Sequence, residues 1–298
     1  MRQSTRGYAD GVAERGEPAQ LAADLASVAA VVRGSDDLRR VLTDPAVPVA
    51  ARRGVVADLF GSRVGRGTAR LLSFVVTNGR AGETLDDIEL LAARFDGTAP
   101  AEGILGHKAA EERVEGYATA LLEELGEREL GEVEDELFRF HRVVTGSEDL
   151  LAALSSRDLP ASARRSVVTD LLAGKASPTT TALAAYATQV GRPRDYEALL
   201  EAMVARVAAE TNRRLAEVRS AIELDESQTT NLAAALSRAL GHDVEVRVTV
   251  DPSVVAGFVA TVGDTVVDGS ARHQLEVLRE RLTTPEAFTT GERRQWRN

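Results

Sequence analysis

Shifted by 112 residues, the sequence lies on itself. Val32-Arg33-Gly34-Ser35-Asp36-Asp37-Leu38 falls on Val144-Thr145-Gly146-Ser147-Glu148-Asp149-Leu150. Without a gap, Ala51-Arg52-Arg53-Gly54-Val55-Val56-Ala57-Asp58-Leu59 then falls on Ala163-Arg164-Arg165-Ser166-Val167-Val168-Thr169-Asp170-Leu171, and Gly79-Arg80 on Gly191-Arg192. About 20 identities over roughly 60 ungapped positions, where composition alone would give roughly 5, mark a duplication rather than a bias. A small change of register also pairs Gly7-Tyr8-Ala9 with Gly116-Tyr117-Ala118.

Each copy reads as helices. Leu137, Phe140 and Val144 have the 3-4 spacing of an amphipathic stripe. Gly34 and Gly146 fit helix ends. Ser35 and Ser147 fit N-caps of the next short helix, each with acidic residues in the first turn. Pro48 and Pro160 suit a helix start, where a missing N–H costs little. Ser177-Pro178 opens another helix and Gly191-Arg192-Pro193 closes it. Five or six helices per ~100 residues with short joints make a helical bundle.

The character changes after Arg214. Leu215 to Leu224 fits a strand, and Glu226 to Leu240 a helix with Leu232, Leu236 and Leu240 on one face and Gly241 as its stop. Val244 to Val250 alternates Val with polar residues, the mark of a half-buried strand. Gly257 to Val262 and Thr265 to Val267 read as a hairpin around Gly263-Asp264. Gly269-Ser270 starts a last helix with Leu275, Leu278 and Leu282 on one face. Thr283 to Asn298 is polar and reads as a tail. The expected fold is mainly α: two tandem bundles of about six helices each, at 1–106 and 107–212, a small α+β domain with a short sheet at 213–283, and a tail at 284–298.

Composition bounds the chemistry. Of 298 residues, 44% are hydrophobic but only 4% aromatic, so the cores must be largely Ala, Val and Leu. A net charge of -10 argues against nucleic-acid binding, which normally shows a basic face. With no cysteine there is no disulfide, thiolate metal site or Cys nucleophile. The N-terminus lacks the apolar region of a secretory signal, and no run approaches the ~18 apolar residues of a membrane span.

Two C-terminal stretches carry a family resemblance. Val250-Asp251-Pro252-Ser253-Val254-Val255-Ala256-Gly257-Phe258 and Val262-Gly263-Asp264-Thr265-Val266-Val267-Asp268-Gly269-Ser270 resemble the V-D-P-S-L-I-G-G and V-G-D-x-V-I-D-G-S signatures of the delta subunit of bacterial F-type ATP synthases, the equivalent of the mitochondrial oligomycin-sensitivity-conferring protein. Ala256 replaces the first Gly of the family's Gly-Gly pair, a mild restriction of the backbone. The helical copies are similar to the family's N-terminal six-helix bundle, which opens with a Tyr-Ala pair such as Tyr117-Ala118. Copy two with the α+β domain spans a whole ordinary member. Copy one is an additional bundle, as in extended actinobacterial forms, with its role left open.

The resemblance implies a non-catalytic peripheral-stalk subunit with no cofactor. It would sit peripherally at the cytoplasmic face of the bacterial membrane, reaching the membrane only through partner subunits. It would link the catalytic head, through the N-terminal helices of alpha subunits, to the C-terminal helices of the b subunit, and so resist rotor torque. It also implies that the first and fifth bundle helices form a groove for an alpha N-terminal helix. Read as anchors at i, i+3, i+4 and i+7, the groove would use Tyr117, Leu121, Leu122 and Leu125 on the first helix, and Tyr196, Leu199, Leu200 and Met203 on the fifth. The same side chains also fit the core of the bundle.

Other patterns point to chemistry more weakly. His107, His141, His242 and His273 are scattered, whereas a metal needs converging ligands. Gly61 to Gly67 lacks the Gly-Lys-Ser/Thr end of a phosphate loop, and Gly174-Lys175-Ala176 lacks the hydroxyl, so both read as turns. The run Glu132 to Glu136 is either a docking face or a solvated helix face. The repeated pairs Arg52-Arg53 and Arg164-Arg165, if exposed, could meet an acidic partner helix. The alternative function, a helical regulatory or nucleic-acid-binding module, is opposed by the overall acidity.

Overall fold

The computed structural model describes residues 1–100, 102–240, 244–251, 254, 257–262 and 265–268. Short helices and their caps set the frame of the first 214 residues. In the first bundle they are α1 (Gln3–Arg15), α2 (Pro18–Gly34), α3 (Asp36–Thr43), α4 (Val49–Phe60), α5 (Arg66–Asn78) and α6 (Thr84–Phe95). In the second they are α7 (His107–Leu122), α8 (Glu127–Thr145), α9 (Glu148–Ser155), α10 (Ala161–Leu172), α11 (Pro178–Ala187) and α12 (Tyr196–Arg214). The Ser35 and Ser147 hydroxyls accept from Leu38 N–H at 3.3 Å and Leu150 N–H at 3.4 Å, capping α3 and α9. Acidic residues at 36–37 and 148–149 add a favourable charge at the same ends. Ser177 caps α11 with Pro178 at its first position.

Two separate apolar cores result. The first gathers Tyr8, Leu25, Val28, Leu71, Leu72, Val75 and Leu91, and the second Tyr117, Leu121, Leu137, Val144, Leu183, Leu199 and Met203. One residue crosses over: Ala120, on α7, is packed into the core of the first bundle.

The chain divides into two compact units, Met1–Ala208 and Ala209–Asn298. The second holds a sheet ordered β2-β1-β3-β4, from β1 (Leu215–Ser220), β2 (Glu245–Val250), β3 (Phe258–Val262) and β4 (Thr265–Asp268). β1 and β2 run parallel, joined through α13 (Glu226–Leu240), as a parallel pair requires. β1–β3 and β3–β4 are antiparallel, with Val262 opposite Thr265. Ala216, Val218, Val244, Ala260 and Val262 form its core with Leu236 of α13. The expected strand over 215–224 stops at Ser220, whose carbonyl accepts from Asp251 N–H at 2.8 Å and whose hydroxyl accepts from Ile222 N–H at 3.4 Å. The last helix expected from Gly269, and the tail, lie outside the described residues.

Candidate functional site

The closest approach in the helical unit is between α1 and α7, and it follows from glycine. A Cβ on Gly7 would sit 1.8 Å from the Arg113 carbonyl oxygen, and a Cβ on Gly116 would sit 2.0 Å from that of Ser4. A Cβ on Gly11 would stand 2.7 Å from the Ala120 Cβ. With no side chain in the way, backbone lies on backbone. In the register that pairs Gly7 with Gly116, Ser4 pairs with Arg113 and Gly11 with Ala120. The contacts are therefore reciprocal, as in a two-fold interface where residue i meets j and j meets i. They advance together along both helices, so α1 and α7 run in the same direction.

The rims of this pairing repeat the reciprocity. Tyr8 stacks on Phe74 of α5 at 3.9 Å, and Tyr117 stacks on Tyr186 of α11 at 3.7 Å. Each tyrosine also meets a glutamate from the other bundle. The Tyr8 hydroxyl donates to Glu123 at 2.6 Å, and Glu14 faces the Tyr117 hydroxyl. Burial, then these carboxylates, raise both phenols above their ordinary pKa. An arginine backs each glutamate. Arg70 of α5 donates to Glu123 at 3.1 Å and to the Ala120 carbonyl at 2.7 Å and pairs with Glu124, and Arg165 of α10 lies 3.5 Å from Glu14. Arg15, bonded to Glu124 at 2.8 Å, also reaches Thr179 of α11 at 2.8 Å. Each first helix thus lies across the first and fifth helices of the opposite bundle.

One side of the pairing carries a charge cluster that the other lacks. Asp10 on α1 accepts from Arg113 at 2.9 Å and from the Tyr186 hydroxyl, and from Arg94 at 2.8 Å. Glu102, on the link between the bundles, accepts from Arg113, from Arg94 at 2.8 Å and from Arg6. Burial opposes the Arg113 charge, but Tyr186, Asp10 and Glu102 more than offset it and raise its pKa. These groups line a polar cavity of about 430 Å³. At the equivalent positions across the two-fold stand Thr119, Ser4 and Phe74, which carry no charge.

Two further features recur in both bundles. Asp24 accepts from Gly65 N–H at 2.9 Å and from Thr68 at 2.8 Å, while Glu136 accepts from Ser177 N–H at 2.8 Å and from Thr180 at 2.7 Å. Each carboxylate caps the fifth helix of its bundle. Partial burial alone would raise their pKa values, but these bonds win and lower both. Arg52 and Arg164, read above as members of exposed pairs, are both only 5% exposed. Arg164 donates to the carbonyls of Ser156, Leu159 and Thr188, which tie the ends of neighbouring helices together. Only the second member of each pair, Arg53 or Arg165, is left at the surface.

The side chains named for a partner-helix groove fall inside the second bundle. Tyr117, Leu121, Leu122, Tyr196, Leu199, Leu200 and Met203 are buried in its core, and Leu125 packs at the edge. Tyr196 to Met203 lie on the sixth helix of that bundle, α12, and not on the fifth, α11. Sequence reasoning also missed the α1–α7 pairing. Its signal was a small residue every fourth position, Gly7 with Gly11 and Gly116 with Ala120. Of the C-terminal signature, Asp251 follows β2 with its carboxylate 3.4 Å from Arg219. Gly257 has φ +83, where glycine is favoured, and Asp268 ends β4. Pro252, Ser253, Gly263, Asp264, Gly269 and Ser270 lie outside the described residues.

The remaining candidates are structural where described. Gly61 to Gly65 join α4 to α5, and Gly174 turns between α10 and α11 at φ +66. In the acidic run, Glu132 pairs with Arg128 and Asp135 with Arg139 along their own helix. Among the described residues no group of three His, Asp or Glu side chains converges on a metal-sized site, and no helix is long and apolar enough to cross a membrane.

Comparison with known proteins gives a consistent result. The family model "ATP synthase delta (OSCP) subunit" matches residues 7–102 and 114–282. An ATP synthase subunit delta of Parafrankia sp. is 35% identical over 267 residues, 90% of this chain and 88% of that protein. Those of Streptomyces griseus, 34% identical over 89% of this chain and 90% of that one, and Nocardia farcinica, 36% over 87% and 88%, are similar.

Proposed function

The chain belongs to the ATP synthase delta (OSCP) family, the non-catalytic peripheral-stalk subunit of the F-type ATP synthase, and on that premise we propose that it ties the catalytic head to the b-subunit stalk. In this reading the helical unit holds N-terminal helices of the alpha subunits, and the α+β unit holds the C-terminal helices of b. Torque from the rotor is then borne by buried interface area. Stable interfaces of this type rest on apolar centres with polar rims. The observation that carries the reading is the extent of the family match, which takes in both bundles and the α+β unit. The protein would act at the cytoplasmic face of the membrane, held there by its partner subunits.

The contacts between the two bundles support a load-bearing role. Two bundles joined by a glycine crossing, two tyrosine–glutamate contacts and a charge cluster resist being pulled apart better than two bundles on a flexible link. Affinity purification of the tagged chain from membranes of its own source tests the proposal. Alpha, beta and b subunits should be recovered in fixed proportion. Recovery of the chain without them would overturn it.

A further inference from the structure

We infer that the face formed by the first and fifth helices of each bundle, α1 with α5 and α7 with α11, is closed to any partner helix, because the first helix of the other bundle already fills it. The inference rests on the head-docking reading above and sharpens it: helices from the catalytic head must use the remaining outer faces of the two bundles.

Three observations carry it. The backbones at Gly7 and Gly116 approach so closely that a single Cβ would overlap a carbonyl oxygen of the other helix. A third helix, which needs roughly 8–10 Å from its neighbour's axis, finds no room between them. Ala120 is 2% exposed and belongs to the first bundle's core although it is on α7, so α7 cannot leave without opening that core. Finally, the groups that α1 covers are not suited to an apolar helix. Lifting α1 would uncover Arg113, whose side chain is 6% exposed, and strip it of Asp10. It would also leave the Tyr186 hydroxyl without its bond to Asp10.

Concentration favours the internal occupant as well. Each first helix is tethered to the groove it fills, and short tethers hold such segments at effective concentrations of about millimolar. An external helix would have to displace it against that advantage and against the loss of the charge cluster.

The chain has no cysteine, so a pair can be introduced cleanly. Arg15→Cys with Glu124→Cys replaces two side chains that already touch across the pairing. A short bifunctional thiol reagent then locks α1 to α7, and binding to delta-depleted catalytic head is measured by calorimetry before and after locking. The expected result is affinity unchanged within about twofold. A loss of roughly tenfold or more on locking would mean that the pairing opens for the head, and would overturn the inference.

If neither form binds, the head-docking reading fails, and the cross-linking yield decides closure by itself. A near-complete yield at equimolar reagent, with helical circular dichroism intact, upholds it. A yield no higher than for Arg39→Cys with Arg128→Cys, two exposed positions on different bundles, overturns it.

Discussion

The two bundles follow the same path and meet through the same positions, yet they are held by different chemistry. Gly7 and Gly116 do the same steric work, as do the stacked pairs Tyr8–Phe74 and Tyr117–Tyr186. Asp24 and Glu136 cap the same helix in the same way. The charge cluster of Asp10, Arg113 and Glu102 stands on one side only. At Gly7 and Gly116 the backbone approach leaves no room for a side chain, so glycine stands in both copies, whereas at the next turn Gly11 faces Ala120. Charge is placed differently on the two sides: Asp10, Arg113 and Glu102 cluster beside the link, while across the pairing Arg70 meets Glu123 and Glu124. The comparison separates what the crossing requires from what merely strengthens it.

The strongest way to break this comparison is steric. Gly7→Leu and Gly116→Leu should each prevent the crossing, costing about 3 kcal/mol or more of overpacking. Thermal unfolding with small-angle scattering should show equal destabilisation and an expanded helical unit in both. A large effect in one alone would deny the two-fold relation. Next comes the asymmetry: Arg113→Ala leaves Asp10, Glu102 and the Tyr186 hydroxyl without their central partner and should cost about 3 kcal/mol. Ser4→Ala, at the equivalent position, should cost almost nothing in the same denaturant titration.

The tyrosines give a test on the alkaline side. Burial raises the pKa of Tyr8, Tyr117, Tyr186 and Tyr196 above the ordinary value near 10. A folded-state pKa above the unfolded one gives stability that is complete below pH 10 and is lost as pH rises beyond it. Absorbance at alkaline pH should therefore show tyrosinate appearing together with loss of helix, in both bundles. The mildest test is on the acid side. The lowered carboxyls of Asp24 and Glu136 stabilise the fold above the ordinary carboxylate range, and this contribution fades as pH falls through their folded values. Asp24→Asn and Glu136→Gln should each flatten the acid limb of stability slightly and to the same degree.

Much of the fold was legible because it is written in local patterns. Ser35 and Ser147 announced their helices, the 3-4 spacing of Leu137, Phe140 and Val144 marked a buried stripe, and the alternation at Val244 to Val250 marked β2. What the sequence hid was longer in range. An apolar side chain at helical spacing fits a core or a groove equally well, and Tyr117 with Tyr196 turned out to be core. Arg52 and Arg164 looked like surface charges because arginine usually is, yet backbone carbonyls can satisfy a buried guanidinium, as they do for Arg164. The glycines on α1 and α7 read locally as weak helix formers. Their purpose appears only when the two copies are laid side by side in space.

Arg15 and Glu124 occupy the same position in the two copies, yet one is a cation and the other an anion. Two first bundles brought together in this way would set Arg15 against Arg15, and two second bundles would set Glu124 against Glu124. Only the unlike pair attracts. A chain that carries both halves therefore satisfies itself, and the like charges disfavour pairing of two first bundles or of two second bundles from neighbouring molecules. The duplication thus leaves opposite signs at one equivalent position, so each half can tell the other copy from its own like.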